Sequence, residues 1–159
     1  MTNSTQKYLR RAHASQRGIA IVEFMIVLPL VLFLILGVSE FGRGFMQYNT
    51  LTRSVRDAVR HASNNALLGQ TQVVNITGQL QTETINLVTH GNIAGTGASI
   101  LPDLTSTAVT VNDEGGGDIS VTATYAYQPI VAPFIPSLLQ NGPKGGIFNI
   151  RAQVIMKAL

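Results

Sequence analysis

Cysteine is absent from this 159-residue chain, which excludes a disulfide framework, a thiol nucleophile and a cysteine metal site together. The fold must hold by packing alone. The three histidines, His13, His61 and His90, lack metal-ligand spacing, and no serine or threonine stands in a recognisable nucleophile motif. No catalytic constellation is found, so the chain is expected to be no enzyme and to hold no cofactor and no metal.

Acidic residues are missing from the whole N-terminal stretch: none precedes Glu23, while Lys7, Arg10, Arg11 and Arg17 do. This local imbalance explains a pI near 9.6 that would otherwise suggest a nucleic-acid binder. Without residues 1–18, seven bases face eight acids, and no electrostatic footprint for nucleic acid remains. The length allows one membrane segment and one modest domain, with residues 67–159 enough for a small core.

What the chain does have is one long apolar run. From Ile19 to Val38 only Glu23 is charged, and at the helical rise such a run covers about 30 Å, the hydrocarbon thickness of a bilayer. A carboxylate at the centre of such a helix costs about 2.5 to 3.5 kcal/mol, and less near an end, where the helix N-terminus favours negative charge. Glu23 is tolerable there, but its presence calls for a function. The bases ahead of the run set the N-terminus on the cytoplasmic side and the rest of the chain outside.

Residues 1–18 are polar and basic, unable to bury a core of their own, and read as a leader. A secretory signal peptide cut after Ser39 is the minority alternative, because its apolar segment would be shorter, about 7 to 15 residues. Past the run, Phe41, Phe45, Tyr48, Leu51, Val55, Ala58, Val59, Ala62 and Ala66 recur at spacings of three and four, with Arg53, Arg56, Asp57 and Arg60 interleaved. A continuous helix over residues 19–66 is predicted, near 70 Å long, with residues 19–38 in the membrane and 39–66 amphipathic. Pro29 removes one helical hydrogen bond, and Gly37, Gly42 and Gly44 lower helix propensity, so bending or local melting is predicted there, with Pro29 as the helix bend. Proline is readily tolerated in such helices.

Residues 67–159 are expected to form a small extracytoplasmic domain. A short helix is predicted over Gln79 to His90, ended by Gly91. Two β runs follow, Ser106 to Asn112 and the strictly alternating Asp118 to Tyr127, joined by Asp113-Glu114-Gly115-Gly116-Gly117 as a hairpin loop. The stretch holding Pro129, Pro133, Pro136, Gly142, Pro143, Gly145 and Gly146 reads as a long irregular connection. Ile147 to Ala158 reads as a third strand. The fold class is therefore α+β: a long N-terminal helix packed through its amphipathic half on a small three-stranded antiparallel sheet.

Other features carry ordinary readings. Glu40 and Arg43 can pair at i, i+3 for a few tenths of a kcal/mol. Asp103, Asp113, Glu114 and Asp118 lack the spacing of a calcium loop and read as turn polarity, and Asn75-Ile76-Thr77 is a glycosylation pattern that arises often by chance.

The segment Arg17-Gly18-Ile19-Ala20-Ile21-Val22-Glu23-Phe24 resembles a prepilin processing site: glycine before the scissile bond, then an apolar helix with glutamate at the fifth mature position and an aromatic at the sixth. With Leu28-Pro29, Gly37, Glu40, Gly42, Arg43 and the strand end Tyr125-Ala126-Tyr127-Gln128-Pro129, the chain resembles the TadE family, pseudopilins of the bacterial tight-adherence (Flp) type IV pilus. The related TadF-like pseudopilins share the processing signal.

The resemblance implies that a membrane aspartyl prepilin peptidase cuts between Gly18 and Ile19 on the cytoplasmic face. The product would be a minor or initiating pilin that works with other pilin and pseudopilin subunits, an inner-membrane assembly platform and membrane lipid, and serves adhesion. It further implies that the α+β fold is pilin-like, and that the chain is an inner-membrane protein with a periplasmic C-terminal domain, passing to the pilus. The alternatives are an unprocessed single-pass envelope protein that binds a partner and the secreted form cut after Ser39.

Overall fold

A computed structural model describes residues 3–67, 73–129 and 148–158, residues 3–17 as backbone alone. The Pro- and Gly-rich connection expected after Pro129 lies largely outside the described residues. The chain divides into two units, Met1–Phe41 and Gly42–Leu159.

Helix α1 runs over Asn3–Asn65, α2 over Gly78–His90, β1 over Val109–Gly115, β2 over Asp118–Tyr127 and β3 over Phe148–Lys157. The first unit is the apolar part of α1. Helical backbone begins ahead of the apolar run, at Asn3, and continues unbroken through Pro29, Gly37, Gly42 and Gly44. The local melting expected at these positions does not occur: a lone proline removes one hydrogen bond from a ladder whose neighbours remain, and each glycine lowers propensity by only about 1 kcal/mol.

In the second unit the sheet has the order β1-β2-β3 with both pairings antiparallel. Alternation along each strand sends one face inward. Val109 and Val111 of β1, Ile119, Val121 and Ala123 of β2, and Ile150 and Ala152 of β3 form a core with Leu51, Val55, Ala58, Val59 and Ala62 of α1. Each such valine, leucine or isoleucine side chain withdrawn from water stabilises by about 1.5 to 3 kcal/mol, which is how a chain without disulfides holds its shape. The three-stranded antiparallel sheet and the α+β class are as the alternation predicts.

The buried face of α1 differs from the predicted stripe. Phe41, Phe45 and Tyr48 are exposed, whereas Gln47 and Leu51 are buried. At 100° per residue, positions 47, 51, 55, 58 and 62 share one direction, and 41, 45 and 48 are turned to its flank. The apolar pattern here is wider than the surface the sheet covers.

Helix α2 is stopped at both ends by local chemistry. The Thr77 hydroxyl accepts the Leu80 N–H at 3.2 Å, and Gly91, at φ 72, donates its N–H to the Leu87 carbonyl, the N-cap and left-handed C-cap arrangement. Buried Thr84 and Thr89 donate to the carbonyls of Leu80 and Ile85, so neither hydroxyl is left unpaired in the core.

The hairpin is tighter than predicted. Residues Ser106–Ala108 form a single 3-10 turn, and β1 starts at Val109 and runs to Gly115, leaving Gly116-Gly117 as a two-residue turn, both at positive φ, the geometry that matches strand twist. The register shifts between Asp113 and Gly115, where Glu114 makes a bulge. Asp113 accepts the Gly115 N–H at 2.8 Å and Glu114 accepts the Ser120 hydroxyl. These carboxylates bind their own hairpin.

Candidate functional site: the apolar half of the long helix

From Ile19 to Val38 every large apolar side chain is exposed, from 38% for Leu28 to 75% for Val38. Nothing in the described chain covers this surface. The stretch beginning at Gly18 reaches a mean hydropathy of 3.0 over 18 residues with none of that window buried. A soluble helix buries its apolar stripe, and one that is greasy all round needs lipid or other apolar helices. The helix is thus a candidate membrane anchor by length and composition.

Glu23 stands exposed in this surface. Gly18, Ile19, Val22, Glu23 and Ile26 line one open face of the helix, because offsets of three, four, seven and eight residues return near the same side. Ile19 is therefore one turn from Glu23. Phe24 is 62% exposed and turned 100° from Glu23. Pro29 lies within unbroken helix. The side chains of the leader bases Lys7, Arg10, Arg11 and Arg17 lie outside the described residues, as does His13.

A second polar constellation in the Gly42–Leu159 unit was not legible in the sequence. Arg43 is half-buried with Nη1 enclosed and without a hydrogen-bond partner, and Gln47, one turn on, is buried with Oε1 in the same condition. The Tyr125 hydroxyl pKa is raised by burial, an effect that the positive charge of Arg43 opposes and the negative charge of Asp103 reinforces. Tyr127 stacks on Phe148, ring centroids 4.8 Å apart. Spacing alone presents Arg43 as an i, i+3 partner for Glu40, and nothing local announces that its Nη1 is enclosed.

Helix α1 meets α2 at a polar contact: His61 Nε2 lies 3.0 Å from Glu83 Oε2, while Gln79 donates to Glu83 Oε1 at 2.8 Å. Among the described residues no group of three His, Asp or Glu side chains could hold a metal ion.

The chain matches the family model described as TadE-like protein over residues 18–60. No curated protein and no solved structure matches it. The match covers the exposed apolar stretch and most of the amphipathic half of α1.

Proposed function

We propose that this chain is a pseudopilin of a tight-adherence type IV pilus, cut by a prepilin peptidase between Gly18 and Ile19 and then assembled as a minor or initiating subunit. One observation carries the reading: the exposed apolar stretch Ile19 to Val38 holds a single carboxylate, Glu23, one turn beyond Ile19, and the family match begins at Gly18 itself. The leader with its four bases stands ahead of the match.

Cleavage gives Glu23 a partner. It creates an α-amino group on Ile19, and opposite charges 4 Å apart attract by about 4 kcal/mol at an effective dielectric constant of 20. Pairing with the amine of its own chain or of a neighbouring subunit offsets the cost of a carboxylate among apolar helices and fixes their register. Cleavage also removes the bases that hold the N-terminus in the cytosol. The chain would act as a substrate and a subunit, not as an enzyme. It would begin in the inner membrane with its C-terminal domain in the periplasm, contact the assembly platform and other pilins, and end in or beneath a pilus used for adhesion.

The domain that follows the helix favours a minor role, since a repeating shaft subunit needs little more than the helix. Deleting the gene in its native bacterium should abolish or sharply reduce piliation and surface attachment, with the apolar helix required for complementation. Normal piliation in the deletion strain would refute the proposal.

A further inference from the structure

The peptide bond between Gly18 and Ile19 lies well inside α1, which begins at Asn3. In an α-helix the carbonyl of residue 18 accepts the amide N–H of residue 22. Hydrolysis needs that carbonyl free. Water adds to its carbon, the C–N bond to Ile19 breaks, and a proton passes to the departing nitrogen, leaving a carboxylate on Gly18 and an amine on Ile19. The peptidase must polarise the same oxygen with its own donors, and a helical partner competes for it. The bond must therefore unwind before it is cut.

Gly18 is the single glycine among residues 1–36, and nothing in the fold requires it. Among the described residues a Cβ there would meet no atom within 4 Å, and Gly18 is absent from the glycines with positive φ. Its remaining physical effect is on helix stability, since glycine is among the weakest helix formers. Ile19, Ile21 and Val22 beside it are β-branched, which lowers propensity further.

We infer that Gly18 is an unwinding point: a positioning residue that frees its own carbonyl from the helix for the peptidase. This rests on the reading that the chain is processed between Gly18 and Ile19. The alternative is steric, a peptidase subsite with no room for a methyl group.

The two are separated by moving the glycine. The full-length chain is expressed in membranes with an aspartyl prepilin peptidase, and the appearance of product beginning at Ile19 is followed by intact mass. Gly18→Ala should slow cleavage about fivefold, the equivalent of about 1 kcal/mol of helix propensity. The double variant Gly18→Ala with Ala20→Gly should recover most of the rate, because the helix is again weak across the same bond. Hydrogen exchange of the Val22 amide should slow in the single variant and recover in the double one.

If wild type is cut but the single and double variants are equally resistant, or if Val22 exchange does not change, the unwinding role is overturned and the processing reading stands. If wild type yields no product beginning at Ile19, the processing reading fails first.

Discussion

Gly44 of α1 and Tyr127 of β2 meet face to backbone: a Cβ added at Gly44 would lie 3.7 Å from Cε2 of the tyrosine ring and 3.9 Å from Cζ of Phe148, on which that ring stacks. Strand ends and helix come together here, beside the enclosed groups of Arg43 and Gln47. The contact distance allows a methyl group and little more. Gly44→Ala should be neutral or stabilise by up to about 1 kcal/mol through helix propensity, whereas Gly44→Leu should destabilise by about 1 to 3 kcal/mol through overpacking. Thermal denaturation of the full chain in detergent reads both.

The rotation of the buried face of α1 has its own test. Leu51→Ala removes a side chain that is fully buried and should cost about 2 to 5 kcal/mol. Phe45→Ala removes one that is 64% exposed and should stay within about 0.5 kcal/mol. Equal losses in chemical denaturation would restore the wider stripe that the periodicity suggests.

Glu83 makes stability depend on pH. Its pKa is held below the ordinary 4.5, first by the hydrogen bond from Gln79 and then by that with His61. A carboxylate whose folded pKa is depressed contributes stability that is complete above its unfolded value and is lost as pH falls through the folded one. Stability should therefore drop below about pH 4.5. Glu83→Gln should flatten that acid limb, and Gln79→Ala should move the Glu83 titration upward as followed by carboxyl NMR.

Glu23→Gln keeps nearly the same size and removes the charge. Membrane insertion should remain intact, since the apolar run alone is long enough to span, while piliation should fall at least tenfold by counts of sheared pili. Wild-type piliation in this variant would remove the charge pairing from the account.

Much of this structure is visible in single residues. Glu23 within an apolar run, Gly91 after a helical period, and strict alternation from Asp118 to Tyr127 each fix an element because one local cause dominates. The parts that escaped depend on distant partners. Glu114 becomes a bulge because Ser120 of the facing strand takes its carboxylate. His61 and Glu83, 22 positions apart, meet only after α2 docks. Arg43 and Gln47 are enclosed by a unit whose strands lie more than 60 residues downstream. In the candidate site the opposite holds: Gly18, Ile19 and Glu23 lie on one helix face, so their relation follows from spacing alone.

On the proposed reading Glu23 gains its partner when cleavage creates an amine at Ile19. The mass and N-terminal residue of the chain isolated from the native membrane decide whether that amine exists. The expected chain begins at Ile19 and lacks residues 1–18. A chain that begins at Met1, or one cut after Ser39, would contradict it.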